Sequence, residues 1–329
     1  MKEILITKEY SNQRADKFVR KYLNAAPLSF IYKVFREKDV KINNHWIKPN
    51  YILQNQDVLK IYVTDAQLGD FNKPKDITNL RVDLDIVYED ENILVINKPK
   101  GILVIGDETE NRLTLTNIVQ SYLYKKGEFK NDGINYVPSP VHRLDRNTSG
   151  IVIFAKKLPI SQQLVQMLKD RTDLDKYYLA LVIGEPTPKK GVISAPIYKD
   201  EEKGFSKVAS LKDGGKDAKT EYEVLYTTQG ISLVKLHLLT GRTHQIRIHM
   251  SYINCPIVGD AKYGNFDFNK EFAKKYKYKD QFLIAYKVVF GKLSGDLRYL
   301  SNKEFKINLP DKEMQILDAF NFKVDLNNI

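Results

Sequence analysis

Residues 138–156 read Pro138-Ser139-Pro140-Val141-His142-Arg143-Leu144-Asp145-Arg146-Asn147-Thr148-Ser149-Gly150-Ile151-Val152-Ile153-Phe154-Ala155-Lys156. The first half is a polar loop stiffened by two prolines, with one carboxylate, Asp145, between Arg143 and Arg146. The second half, Ile151 to Phe154, is a continuous apolar run bounded by turn residues, the pattern of a strand buried on both faces. Seating a loop on such a strand fixes its backbone, and a fixed backbone is what a reactive carboxylate needs. Asp145-Arg146-Asn147-Thr148-Ser149-Gly150 also reads as a plain turn, because Asp, Asn, Ser and Gly all favour turns.

Upstream of this stretch, residues 84–88 and 92–97 predict two strands, the second stopped by Lys98-Pro99-Lys100-Gly101, and 113–125 an amphipathic helix followed by an exposed loop over 126–136. Downstream, the pattern predicts a helix over 159–170, strands over 177–183, 219–226, 231–239 and 282–290, a short helix carrying His244 to His249, and a closing helix over 311–320. Strands outnumber helices and rarely alternate with them, which implies an α+β fold with a mainly antiparallel sheet.

The N-terminal part is organised differently. A helical stripe of Phe18, Tyr22 and Leu23 is followed by Pro27 and by Ser29, a candidate N-cap, before a second helix from Phe30 to Glu37. Lys33, Arg36 and Lys38 lie off its apolar stripe of Ile31, Val34 and Phe35. Val40-Lys41-Ile42 and His45-Trp46-Ile47 then flank Asn43-Asn44, a hairpin signal, and 58–63 is a strand. The expected division is a small module over residues 1–63, a polar linker over 64–80 carrying Gly69 and Pro74, and a larger domain over 81–329.

The formal net charge is +11, and residues 1–63 hold 12 Lys and Arg against 6 Asp and Glu, so the small module carries much of the excess. Such a surplus points to a polyanionic partner, although a basic composition can also serve solubility alone. No run approaches the roughly 18 apolar residues of a membrane span. The N-terminus is too short and too charged to act as a secretory signal. A single cysteine, Cys255, suits the cytoplasm. The five histidines and this cysteine form no metal-ligand spacing, so no metal is expected.

Four stretches taken in order resemble the RluA family of RNA pseudouridine synthases. They are Asn97-Lys98-Pro99-Lys100-Gly101, His142-Arg143-Leu144-Asp145, Lys176-Tyr177-Tyr178-Leu179-Ala180-Leu181-Val182 and Thr240-Gly241-Arg242-Thr243-His244-Gln245-Ile246-Arg247. Residues 14–63 are similar to the RNA-binding module of S-four type that the RluC and RluD branches carry in front of the catalytic domain. The resemblance implies isomerisation of uridine in RNA: the bond from ribose to the base nitrogen breaks, the uracil turns, and a bond to its carbon-5 forms. It implies Asp145 as nucleophile, a role a carboxylate can fill by attacking the sugar or the base and leaving again. It further implies Arg247 as the ion-pair partner of Asp145 and Tyr178 as the ring that stacks on the uracil. It also implies Arg143 as the arginine that fills the gap left by a flipped nucleotide, flipping being needed when the scissile bond is hidden in a stack. Arg242 is either a second partner of Asp145 or a phosphate contact. His142 and Lys98 belong to the expected substrate-binding surface, His142 chiefly as a shaper of the loop, and Lys33, Arg36, Lys38 and Lys41 to the RNA-binding module. No cofactor is implied. The expected partner is ribosomal RNA or its precursor particles, met by a monomer; the alternatives are a synthase of transfer or messenger RNA and an inactive RNA-binding assembly protein.

Overall fold

The computed structural model describes residues 1–8, 10–72, 80, 83–106, 113–130, 136–200, 204–326 and 329. The N-terminal unit contains β1 (Lys2–Leu5), α1 (Ala15–Tyr22), α2 (Leu28–Arg36), β2 (Val40–Ile42), β3 (His45–Trp46), β4 (Val58–Ile61) and α3 (Asp65–Phe71). Its four strands form an antiparallel sheet in the order β1-β4-β2-β3. Asn43 and Asn44 both have positive φ, as a two-residue hairpin turn with the twist of its strands requires. Phe18, Val19 and Tyr22 of α1 and Ile31, Val34 and Phe35 of α2 pack with Ile4, Ile42, Leu59 and Ile61 of the sheet into one core.

Three local expectations change here. Ser29 is not the N-cap: α2 begins at Leu28 behind an extended Pro27, which leaves Ser29 inside the first turn. Strand β1 was hidden in a short, charged terminus and becomes evident only through its register with β4. The linker expected from residue 64 is instead a helix over Asp65–Phe71, closed by a reciprocal capping box between Thr64 and Gln67. Phe71 packs its ring 4.6 Å from that of Phe30, so α3 belongs to the N-terminal core. Gly69 and the shortness of the segment concealed it. Residues 73–79 of the expected linker lie outside the described residues.

The larger unit runs β5 (Ile86–Glu89), β6 (Ile93–Lys98), α4 (Leu115–Lys125), β7 (Ser139–Pro140), β8 (Ser149–Ala155), α5 (Leu158–Asp170) and β9 (Leu174–Ile183). It continues with β10 (Lys190–Ser194), β11 (Ile197–Asp200), β12 (Phe205–Val208), β13 (Lys219–Thr228), β14 (Ile231–Leu238), α6 (Gln245–Tyr252), α7 (Phe266–Tyr276), β15 (Leu283–Phe290), β16 (Glu304–Lys306) and α8 (Asp311–Ala319). The main sheet has the order β10-β13-β14-β9-β15-β8-β6-β5, with β16 on β15 and β7 on β8. Among the described residues the only parallel pairing is β8 with β15, so the fold is α+β with a mainly antiparallel sheet, as the sequence predicts. Residues 131–135 of the expected 126–136 loop are outside the described residues.

Strand alternation divides this sheet between two cores. Ile151 and Ile153 of β8, Leu179 and Leu181 of β9 and Ile284 of β15 face α5, α7 and α8. Val152, Phe154, Tyr178, Ala180, Leu283 and Ala285 face the opposite way, toward α4 and α6. Each fully buried aliphatic side chain contributes roughly 1.5–3 kcal/mol relative to exposure. Both faces being covered is why β8 reads as an unbroken apolar run. At its start, Gly150 has φ +119°, and a Cβ there would lie 2.2 Å from the carbonyl oxygen of Ala285. Only glycine lets β8 and β15 begin side by side, and the loop bearing Asp145 leaves the sheet at that point. No helix among the described residues is long and apolar enough to cross a membrane.

Candidate active site

Asp145 opens a turn in which the Thr148 amide donates to the Asp145 carbonyl (3.1 Å). Two buried side chains hold this turn from behind. Gln281, just before β15, donates through Nε2 to Thr148 Oγ1 (2.7 Å). Lys98, at the end of β6, is 0% exposed and donates to the carbonyls of Pro99, Ile102 and Arg146 at 2.8, 2.9 and 2.9 Å. Its three ammonium hydrogens are thus matched by three acceptors. Burial pulls its pKa down to about 7, against the opposing pull of the Asp145 charge. Lys98 is therefore a strut of the loop, and the expectation that it contacts substrate is corrected: its ammonium neither reaches solvent nor has a hydrogen to spare.

The carboxylate of Asp145 remains partly open to solvent, with 23% of its side chain exposed. Its Oδ2 accepts from Arg247 Nη1 at 2.8 Å. Arg247, in the first turn of α6, is gripped from its other side by Asp260, Nε to Oδ2 at 2.6 Å and Nη2 to Oδ1 at 2.8 Å. Asp260 is buried, and its Oδ1 also accepts the amides of Lys262 (2.8 Å) and Tyr263 (3.0 Å). Tyr263 lies under the guanidinium, 5.1 Å from its carbon to the ring centroid. Burial works against the Arg247 charge, but the bonds and charge of Asp260, then of Asp145, more than offset it and raise its pKa above the usual guanidinium value. Burial likewise opposes the Asp260 charge, and Arg247 and the two amides outweigh it, so this carboxyl lies below its usual range. A buried charge is tolerable only when paired and fully hydrogen-bonded, and this arrangement meets that condition.

The loop before α6 is tied down by Gln245. Its Oε1 accepts from Thr240 Oγ1 (2.7 Å) and the Arg242 amide (3.0 Å), and its Nε2 donates to the Lys219 carbonyl (2.9 Å) and Thr220 Oγ1 (3.0 Å). His244 Nδ1 meets the Tyr263 hydroxyl at 2.9 Å, and its Nε2 lies 3.8 Å from Asp145 Oδ2. Burial lowers the His244 pKa, with Asp145 acting in the opposite direction.

These groups border one cavity of about 530 Å³, walled by the 141–145 loop, the start of β9, and residues 238–247. Tyr178 faces it from β9; burial, then the nearby Asp145 charge, raises the pKa of its phenol, which stays protonated. Tyr177 projects from the opposite face and stacks on His237 at 4.6 Å. Arg143 is exposed at the rim beside Asp145. Arg242 is also on the rim, its Nε donating to the Asp217 carbonyl (3.0 Å), and the salt bridge to Asp145 is made by Arg247. His142 accepts the Ile153 amide on Nε2 (3.3 Å), and burial, then Lys176, lowers its pKa to about 3, so it is neutral at working pH.

Three residues of this site escape a reading of the sequence: Asp260, Tyr263 and Lys176. Asp260 and Tyr263 fall in Val258-Gly259-Asp260-Ala261-Lys262-Tyr263-Gly264, where an acid between glycines after an apolar pair is the one visible signal. Lys176 sits beside the strand tyrosines and looks like a solvated strand end, yet it lines the cavity. Burial brings its amine down to about 8, with Asp175 pulling the other way.

Residues 92–252 match the family model described as RNA pseudouridylate synthase. The chain is 34% identical over 273 residues to the ribosomal large subunit pseudouridine synthase C of Haemophilus influenzae, covering 82% of this chain and 81% of that protein. It is 36% identical over 314 residues to an uncharacterized RNA pseudouridine synthase of Mycoplasma capricolum, covering 92% and 96%. Among solved structures, human RNA pseudouridylate synthase domain containing 4 superposes with a TM-score of 0.57 at 25% identity, covering 72% of this chain and 92% of that one. With relatives above 30% identity spanning most of both chains, and with Asp145 and its arginine partner Arg247 both inside the matched region, the chain belongs to the RNA pseudouridylate synthase family.

Proposed function

We propose that this protein isomerises uridine to pseudouridine in large-subunit ribosomal RNA, with Asp145 as the nucleophile. The ribosomal substrate is supported by the name of the Haemophilus influenzae relative, which matches over most of both chains. The observation that carries the chemistry is the pairing of a partly open Asp145 carboxylate with an Arg247 that Asp260 holds from behind. A carboxylate so paired stays aimed while one edge faces the cavity. It attacks the sugar or the base, the bond from ribose to nitrogen breaks, and the freed uracil turns on Tyr178. Carbon-5 then bonds to the ribose as Asp145 leaves with its charge restored, carbon-5 gives up its proton to solvent, and the nitrogen freed from the ribose takes one up. Electrons for each step come from the carboxylate and the base, so the scheme needs no metal or redox cofactor. Arg143 occupies the stack from which the uridine is extruded, and His142, held neutral, shapes the loop.

Residues 1–63, extended by α3, act as an RNA-binding module of S-four type, and residues 81–329 as the catalytic domain. Lys33, Arg36, Lys38 and Lys41 draw in phosphate without reading sequence, and the cavity selects the base. Every group in the scheme comes from one chain, which then works as a monomer in the cytoplasm, where ribosomal RNA and its precursor particles are found. The test is a pseudouridine map of ribosomal, transfer and messenger RNA, by carbodiimide modification and primer extension, from cells lacking the protein and cells complemented with wild type or Asp145→Asn. Sites in large-subunit RNA should vanish on deletion and return with wild type alone. Loss confined to transfer or messenger RNA would replace the substrate, and restoration by Asp145→Asn would remove the nucleophile.

A further inference from the structure

The N-terminal sheet has one face covered and one open. Val40, Ile42, Leu59 and Ile61 point into the helices, so by strand alternation Lys41, Lys60 and Tyr62 point the other way. The register sets Lys41 of β2 opposite Trp46 of β3 on one side and Lys60 of β4 on the other. Trp46 is 52% exposed and Tyr62 39%, and neither belongs to the core beneath. Each ring carries an ammonium: Lys38 Nζ lies 5.2 Å from the Trp46 ring centroid, and Lys41 Nζ 4.8 Å from that of Tyr62. Lys60 is engaged by Glu3 at 3.2 Å.

Folding does not account for this face, since the core is complete without it and an exposed indole gains little from burial. Flat π surfaces alternating with cations do suit an unpaired nucleic-acid strand, whose bases stack on aromatic rings whatever their identity while lysines meet the phosphates. Trp46 and Tyr62 stand on strands separated by β2, about 10 Å apart by strand spacing. That leaves room for backbone over Lys41 between two stacked bases. A double helix keeps its base faces inside and offers none to stack. A protein partner would favour a contiguous apolar patch, and here lysines separate the rings.

We infer that the outer face of the N-terminal sheet is a stacking platform for single-stranded RNA, with Trp46 and Tyr62 taking bases and Lys38 and Lys41 phosphates. The inference rests on the reading of this module as RNA-binding, and adds a surface on the side away from α2, whose Lys33 and Arg36 serve phosphate alone. The module would then favour ribosomal RNA in which the strand beside the target is unpaired.

Trp46 is the sole tryptophan of the chain, so emission of the full-length protein excited selectively at tryptophan, apart from the tyrosines, reports on this face alone. The protein is titrated with single-stranded oligouridine, a blunt RNA duplex of equal length, and heparin, which has charge but no bases. Oligouridine should quench the emission by roughly half, while duplex and heparin leave it nearly unchanged. Trp46→Leu should weaken oligouridine binding about tenfold, followed by anisotropy of labelled RNA, while Trp46→Phe stays within about threefold. Binding of oligouridine that leaves both the emission and the Trp46→Leu affinity unchanged would overturn the platform. Emission that responds to purified ribosomal proteins and not to RNA would overturn it in favour of a protein partner. A Lys33→Glu/Arg36→Glu double variant separates the two levels: if it binds as wild type and Trp46 stays silent, the RNA-binding reading of the module fails; if it binds weakly while Trp46 stays silent, the platform alone fails.

Discussion

Arg247 and Lys33 are both cations assigned to RNA work, and they are built in opposite ways. Arg247 has 10% of its side chain exposed and bonds two carboxylates, one of them itself fully buried. Lys33 is 52% exposed, and its contact with Glu37 is a loose 4.0 Å pair along α2. Within a protein a charge pair couples strongly and holds one geometry; at the surface it is screened and contributes ~0–1 kcal/mol. The first construction suits a step in which atoms must be placed, and the second suits attraction, which needs charge but no fixed position. The contrast therefore separates turnover from affinity, and mutations should split along the same line.

The sharpest split is expected at the carboxylate. Asp145→Asn keeps the shape of the turn and removes the nucleophilic charge, so single-turnover pseudouridine formation should fall by roughly 10⁴-fold or more. RNA affinity by anisotropy should stay within about threefold. A rate within tenfold of wild type would mean that the buried ion network is structural only. Next comes Asp260→Asn, which leaves Arg247 with half of its support. Breaking a buried pair costs about 3–5 kcal/mol, and displacing a catalytic group by an ångström costs on the order of 10² in rate. The denaturation midpoint and turnover should therefore fall together. Because folding depresses the Asp260 pKa, its contribution to stability is present above the unfolded carboxyl value and is lost as pH falls through the folded one; the variant should lack that loss. Equal acid sensitivity of variant and wild type would break the assignment.

The opposite pole is tested at α2. Lys33→Glu with Arg36→Glu should leave turnover at saturating RNA unchanged. It should lower RNA affinity about tenfold near 0.1 M salt and reduce the slope of log affinity against log salt by about 1.5, two phosphate contacts' worth. An unchanged slope would show that these exposed cations do not meet phosphate.

The two regions also differ in how far their sequence discloses them. The buried strand at Ile151–Phe154, the Asn43-Asn44 hairpin and the amphipathic helices were legible because periodicity and turn chemistry are local. Asp145, Tyr178 and Arg247 come from three distant stretches, and the order of motifs named them together before the sheet brought them to one cavity. Asp260 was not legible. Its partner lies 13 residues away on another element, and nothing in a glycine-flanked acid tells a turn former from the support of a catalytic arginine. Helix α7 also escaped, although Phe268, Phe272 and Tyr276 recur at helical spacing: Phe272 is its one fully buried residue, and charged and polar residues fill most of the helix. Lys98 misled in the other direction, since a lysine in a loop near the site suggests phosphate, and only its burial on three carbonyls shows otherwise.

Lys176 stands between the poles, a cation on the cavity wall with its pKa brought down to about 8 by burial. Below that pH it is charged and available to a phosphate of the bound strand; above it the amine is neutral. Because kcat/KM reports the free enzyme, its value should decline as pH rises through about 8, by roughly eightfold between pH 7.5 and 9. Bound phosphate favours the charged form, so kcat should hold to higher pH. Uracil also loses a proton in alkali, but that ionisation is common to every variant and cancels in a comparison of enzymes. Arginine cannot deprotonate in this range, so Lys176→Arg should flatten the limb relative to wild type. His142, already neutral, should add no limb near its ordinary value. If Lys176→Arg and wild type decline together, the titrating group lies elsewhere and Lys176 is a wall residue. If the arginine variant alone stays flat, one cavity cation serves attraction, and the line between chemistry and affinity runs through the site itself.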